Sequence, residues 1–235
     1  MKKPVYYVIL ALLIGVFLFA AYKVGSYYLE KYRSDKVISD ATRFVTLPGE
    51  DNSTDNPDSD PGGDPECPTV QFDELKQQNE DVIAWIYGAN THINYPVVQG
   101  SDNDYYLRRD EKGTEDYHGC IYADYTCRMN SGEKVSRNLI FYGHTFTDED
   151  YEGGFEDLHK YRVFEFGQEN PYIYVSLADE KLTYQIFSVW VCDVSTDTDC
   201  IQANPDDAAF QQILGKAVAG CAFDYGVDVT TDDHI

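Results

Sequence analysis

Basic residues are scarce in this chain. Eighteen lysines and arginines stand against 41 aspartates and glutamates in 235 residues, a formal net charge of −23. That balance excludes a nucleic-acid partner, because such a protein needs cations to displace the counterions of phosphates. Methionine is nearly missing, with two copies against 20 tyrosines, a composition that leans towards strands. No C-x-x-C pair occurs among the six cysteines, Cys67, Cys120, Cys127, Cys192, Cys200 and Cys221. A zinc knuckle and a dithiol redox motif are therefore not expected. Two close pairs, Cys120 with Cys127 and Cys192 with Cys200, are disulfide candidates if the domain lies outside the cell, and free buried thiols are the alternative. No glycine-rich phosphate loop is present. The acidic residues that do cluster lie in a run of Asp, Pro, Gly and Ser, where they are solvated rather than gathered around a cation. Neither a cofactor nor a metal is expected.

Three composition zones divide the chain. Residues 5–22 form an uncharged, mostly aliphatic run behind Lys2 and Lys3. At about 1.5 Å per helical residue, this is just long enough for a bilayer core of ~30 Å. The run exceeds the apolar core of a usual cleaved leader, which favours an uncleaved anchor over a leader cut near Val24-Gly25-Ser26. Lys23, Lys31, Arg33 and Lys36 on the far side blunt any orientation argument from charge. Residues 49–65 are almost wholly Gly, Asp, Asn, Ser, Thr and Pro, too poor in apolar surface to offset their ordering entropy. The expected organisation is an anchor over 1–33, a disordered acidic linker over 34–68 and a globular head over 69–235.

The head reads as short strands with a few helices in the connections. Residues 72–79 read as a helix. Residues 82–87, 93–98, 120–123 and 138–142 read as strands, 155–161 as a short helix, and 173–177 and 182–194 as further strands, the last long and apolar enough to be central. Asn204 as cap, Pro205 at the first position and Gly220 at the end bracket a helix whose apolar residues recur at helical spacing. Residues 227–229 look like the start of another strand. The fold class is mainly β with helices, of the barrel kind.

The sharpest single feature is Asn138-Leu139-Ile140-Phe141-Tyr142-Gly143-His144. A strand-like apolar run ends at a glycine, and the next residue is an imidazole. A rigid sheet can aim such a ring, and histidine holds or releases a proton near neutral pH. By itself a Gly-His is as readily a satisfied core residue. His92, His118, His159 and His234 lack any comparable context and read as surface or turn residues.

Further residues join His144 in one pattern. Phe72-Asp73-Glu74-Leu75-Lys76 with Asn79, then Val82-Ile83-Ala84-Trp85-Ile86, open the head. Ile93-Asn94-Tyr95-Pro96-Val97-Val98-Gln99-Gly100 and Asp102-Asn103-Asp104-Tyr105-Tyr106-Leu107 follow, then Gly119-Cys120-Ile121-Tyr122-Ala123-Asp124 and Tyr142-Gly143-His144. Phe155-Glu156-Asp157-Leu158 with Tyr161, and Gln185-Ile186-Phe187-Ser188-Val189, complete it. Together these resemble the class B sortases, cell-surface cysteine transpeptidases of Gram-positive bacteria, over nearly the whole head.

The resemblance implies a closed sortase β-barrel with an N-terminal helix and a long helix inserted before the last strands. In that family the nucleophile is a cysteine in a T-L-x-T-C strand, followed by a strand bearing an arginine. No cysteine here occupies that place, so the chain is expected to be truncated at its C-terminus, incomplete in its barrel and inactive on its own. The resemblance assigns His144 as acid/base. It assigns Asn103, Leu107, Tyr142, Thr196 and Ile201 to the peptide groove, with Cys200 where an aromatic is more usual. The partners it implies are surface proteins bearing a C-terminal sorting signal, an amine acceptor such as a peptidoglycan precursor, and the membrane, with a single-pass anchor and an extracellular head. The alternative function is a non-catalytic membrane-anchored module that binds sorting peptides.

Overall fold

The computed structural model describes residues 3–49, 67–130, 132–145, 153–193, 195 and 199–235. Helix α1, Lys3–Thr42, contains the apolar run. Within it lies a span long and apolar enough to cross a membrane by length and composition, its side chains turned away from the protein. The helix continues well past residue 33, however. Ser34 and Ala41 are buried, the latter beside Phe72 and Trp85. Strand β1, Val45–Thr46, then pairs antiparallel with β2, Thr69–Val70. Residues 34–49 of the expected linker are thus helix, strand and turn against the head, because Ala41, Phe44 and Val45 have apolar partners there. Residues 50–66 lie outside the described residues.

Helix α2, Phe72–Gln78, buries Phe72 and Leu75, three residues apart on one face, and has Asp73 and Glu74 in its first turn, where the helix dipole favours acids. It stops at Asn79, whose amide donates to the Tyr106 hydroxyl at 2.8 Å and the Glu111 carbonyl at 2.7 Å. The sheet comprises β3 (Val82–Tyr87), β4 (Asn94–Val98), β5 (Tyr122–Ala123), β6 (Phe141–Tyr142), β7 (Tyr172–Leu177) and β8 (Lys181–Gln185). Its strand order is β6-β5-β4-β3-β7-β8, with β4 and β5 parallel and the other neighbours antiparallel.

Alternation sends the side chains of β3 to two cores. Ala84 and Ile86 join Val97, Ile121, Val175 and Leu177 on one face. Val82 and Trp85 join Val98, Tyr122, Leu75 and Ala41 on the other. A bulge between Val82 and Ala84 resets the register so that both sets stay buried. Trp85 is fully buried and still satisfies its indole N–H, which donates to Asn94 Oδ1 at 2.8 Å.

Helix α3, Phe164–Glu169, follows a 3₁₀ stretch over Glu156–Arg162. Helix α4, Asp207–Gly220, buries Phe210, Ile213, Leu214 and Ala217. Its cap is Asp206, whose side chain accepts from the Ala209 amide at 2.9 Å, rather than Asn204. Asn204 is instead engaged by Arg128, which donates to its Oδ1 at 2.7 Å.

Two sequence expectations change. The run 182–194 is not a central strand: β8 ends at Gln185, is the edge of the sheet, and is only half-buried. The barrel is not closed either. Among the described residues β6 and β8 are both edges, and the sheet curls around an open cleft of about 950 Å³ lined by Phe141, Leu182, Tyr184, Val229 and Ile235 among others. Closure needs backbone partners for both edges. Residues 186–193 and 226–235 run beside the cleft without forming strands. Each touches the sheet at one end: Ile186 N donates to Pro171 O at 2.8 Å, while Ile235 N donates to Arg137 O at 2.9 Å and Leu139 N donates to Ile235 O.

Candidate active site

The path from β6 to His144 is built by exclusion of side-chain volume. A Cβ on Gly143 would come within 2.4 Å of Ile121 Cδ1 and 2.7 Å of the Phe155 ring. Only hydrogen fits there, so the chain lies flat on the core as it delivers the imidazole. Gly119 faces the ring from the neighbouring loop with φ +63°, and a Cβ on it would stand 2.6 Å from Leu107 O and 3.2 Å from His144 Cδ2. His144 Nε2 lies 2.9 Å from the Leu107 carbonyl oxygen. The His144 carbonyl accepts from Phe155 N at 3.1 Å. The ring is half-buried, held at the rim of the sheet rather than sealed in its core.

One carboxylate, which the sequence did not single out, organises the residues beside it. Asp124 Oδ2 accepts from the Tyr142 hydroxyl at 2.8 Å and from Asn103 Nδ2 at 2.8 Å. Its Oδ1 accepts from the Thr126 amide at 2.9 Å. Burial disfavours the Asp124 charge, but the hydrogen bonds from Thr126, Asn103 and Tyr142 outweigh it and hold the carboxyl below its usual range. The same burial, with the bond to Asp124, pushes the Tyr142 phenol up. Asn103 in turn accepts the Tyr125 amide on its Oδ1 at 3.1 Å. Asn103 and Tyr142 are therefore locked to each other through Asp124, with their polar ends already engaged.

Leu107 is exposed, on the 3₁₀ turn Tyr106–Arg108, and touches His144 through its carbonyl. Ile201 is also exposed, but on a different element, the turn Asp199–Ile201 beside Asn138. Thr196 lies outside the described residues. Asn103, Leu107, Tyr142 and His144 thus form one connected neighbourhood, and Ile201 stands apart from it. A signal for Asp124 exists in the sequence: an acid directly after a buried strand, with Thr two residues on, forms an Asx turn.

No family model matches the chain. Sortase B of Listeria monocytogenes is 28% identical over 223 residues, which cover 94% of this chain and 83% of that protein. The crystal structure of sortase B from B. anthracis in complex with AAEK1 is 27% identical, with a TM-score of 0.68 over 88% of each chain. The Staphylococcus aureus sortase B–substrate complex is 28% identical, with a TM-score of 0.64, over 70% of this chain and 73% of that one. The chain is a class B sortase homologue.

A sortase is a cysteine enzyme, so the sulfurs of this homologue matter. Cys67 Sγ sits 3.2 Å from Ser176 Oγ, buried. Cys127 lies in the core, its sulfur accepting from Ile140 N at 3.4 Å. Cys120 follows Gly119 but packs on the second core. Burial raises its thiol pKa well above the usual value, and the carboxylates of Glu111, Asp110 and Asp116 add to this, the opposite of a poised thiolate. Cys192 and Cys200 face one another. Cys221, after α4, accepts from Val189 N at 3.3 Å. Burial opposes its ionisation, yet hydrogen bonds from Val189, Phe223 and Ser188 bring its thiol below the usual value.

The other histidines divide. His92 Nδ1 stands 3.1 Å from Asp157 Oδ2 at a partly exposed position. His118, expected at the surface, is buried beside Asp116, with the Tyr27 ring of α1 against it. Among the described residues no group of three or more His, Cys, Asp or Glu gathers in a geometry that holds a metal ion.

Proposed function

We propose that this chain is the membrane-anchored head of a class B sortase that binds the sorting peptide and supplies the acid/base histidine of transpeptidation. The observation that carries this reading is His144, presented at the end of β6 by Gly143 and set against the Leu107 carbonyl, next to the Asn103–Asp124–Tyr142 cluster. In the reaction a thiolate attacks the carbonyl carbon of the threonine in a C-terminal sorting motif. The imidazolium gives its proton to the departing amine as the C–N bond breaks, leaving a thioester. An amine from the cell wall or another surface protein then attacks, yields its proton to His144 and expels the thiolate. Asn103, Leu107, Tyr142, Thr196 and Ile201 are assigned to the peptide groove, with the head outside the cell and the anchor in its membrane.

We assign the thiolate to none of the six cysteines, since even Cys120, next to Gly119, packs on the second core with its thiol held protonated, and these 235 residues alone are read as inactive. The backbone suggests where a thiol belongs. Ile235 bonds to Arg137 and Leu139 in the pattern of a parallel strand pair. A polypeptide continued in that register would bring its sixth residue after Ile235 level with His144. The same deficit favours, for the chain by itself, a module that binds sorting peptides without cutting them.

A fluorogenic sorting peptide tests the reading. The 235-residue chain should leave it intact. The chain extended along β6 with a cysteine at the sixth added position should cleave it, and His144→Ala in that protein should abolish cleavage. Cleavage by the unextended chain, lost in Cys221→Ser, would overturn the assignment, as would an active His144→Ala.

A further inference from the structure

The connection from β8 to α4 carries two of the six cysteines. Cys192 and Cys200 stand with their sulfurs 3.9 Å apart, separated by eight positions in sequence. Both are half-buried. Cys200 lies in the 3₁₀ turn Asp199–Ile201, and that turn is tied down. Asn138 Nδ2 donates to the carbonyls of Cys200 and Gln202 at 3.0 Å each, and Asn138 N donates to Ala203 O at 3.0 Å. Cys192 lies on the other limb, which forms no strand and whose Val191 is 81% exposed. One limb is therefore anchored to the residue that leads into β6 and His144, and the other is not.

The geometry points to a reversible disulfide between Cys192 and Cys200 that pins the exposed limb of this connection to the Asn138 anchor. The sulfurs need only approach roughly 2 Å further to reach a bond of about 2.05 Å. The other four thiols have different surroundings: Cys67 and Cys127 are core residues, Cys120 packs on the second core, and Cys221 is bonded to Val189. The oxidant is an external disulfide of a small thiol or of a thiol–disulfide oxidoreductase. One cysteine thiolate attacks it and expels one thiolate. The second cysteine attacks the mixed disulfide and expels the other. Two electrons pass to the oxidant, and the two cysteine protons end on its thiols. Such a bond persists where the surroundings are oxidising, as outside a cell.

The functional consequence rests on the sortase reading above. Ile201, assigned to the groove, directly follows Cys200, so oxidation ties the Cys192 limb to the turn that carries Ile201. Reduction frees it. Peptide binding is thereby sensitive to the thiol–disulfide balance, without involving the catalytic sulfur.

The full chain in detergent micelles is the material for the test. It is treated with oxidised glutathione, denatured, alkylated with N-ethylmaleimide, digested and mapped by mass spectrometry. The expected map has Cys192 and Cys200 in one linked species, two hydrogens lighter than the two thiol peptides together, with Cys67, Cys120, Cys127 and Cys221 alkylated. Dithiothreitol before alkylation should restore both thiols. Both cysteines alkylated after oxidation, each carrying its own glutathione, or either joined to a different cysteine, would overturn the inference. The map reads the sulfurs directly, so a failed transpeptidase assay leaves it standing, and a failed map leaves the transpeptidase reading untouched.

Discussion

Glu111 should make the head less stable as pH rises from 4.5 to about 7, and Glu111→Gln should remove that loss. The side chain is buried, and its Oε1 has no hydrogen-bond partner among the described residues. Burial raises its pKa from 4.5 to about 7; the nearby carboxylates of Asp110 and Asp116 add to the shift, and Lys112 opposes it. Cys120 also lies within its field. Below the ordinary value, folded and unfolded chains both hold the proton and the group is neutral in the balance. Between 4.5 and about 7 the unfolded chain ionises while the folded chain does not, so stability falls as pH rises. Above that window the loss is constant. A shift of this size corresponds to about 3 kcal/mol, taken as an order of magnitude. Asp110, also raised by burial, slopes in the same direction and stays in the variant. Asp124 and Asp157, whose carboxyls lie below their usual range, lose their contribution only in more acidic solution. The assay is chemical denaturation of wild type and Glu111→Gln at pH 5 and pH 8. The variant should gain on the wild type at pH 8 by ~2–3 kcal/mol relative to pH 5. Parallel pH profiles for the two proteins would refute the reasoning, and a buried, protonated Glu111 with it.

Two further outcomes concern the site. Gly143→Ala forces a methyl into Ile121 and Phe155; it should cost about 1–3 kcal/mol in denaturation and shift the His144 ring signals in an NMR spectrum, and an unchanged spectrum would deny the glycine its positioning role. Asp124→Asn removes the charge that the Tyr142 hydroxyl and Asn103 amide share. The Tyr142 phenol should then titrate lower than in wild type, read by the NMR of ring-labelled tyrosine; no downward movement would mean that burial alone sets it.

The elements most legible in the sequence were those whose pattern is local. Phe72 and Leu75 mark α2, alternation marks β3 and β4, and Gly143 before an imidazole marks the end of β6. The reading failed where a partner strand or distant side chain decided the outcome. Residues 182–194 are apolar enough to be a strand, but a strand needs backbone partners on its flanks, and β8 has them only on the β7 side. The cap of α4 moved from Asn204 to Asp206 because Arg128, far away in sequence, holds Asn204. Residues 34–49 looked like part of a leash because their few apolar positions have no local periodicity. They fold because the head offers Phe72 and Trp85 as partners. His118 is buried through the approach of α1, which composition does not foretell.

What the sequence determined by itself was chemistry that needs no neighbours: an apolar run long enough for a bilayer, a strongly acidic net charge, and a histidine delivered by a glycine at the end of a strand. Only the tertiary structure decided which groups meet. It brought Leu107 to His144, made Asp124 the shared acceptor of Asn103 and Tyr142, left β6 and β8 as facing edges, and set Cys192 beside Cys200. The physical reason is range. Propensity, hydropathy and turn chemistry act over a few residues of chain, whereas these contacts join elements whose approach is fixed by how two cores pack on one curled sheet.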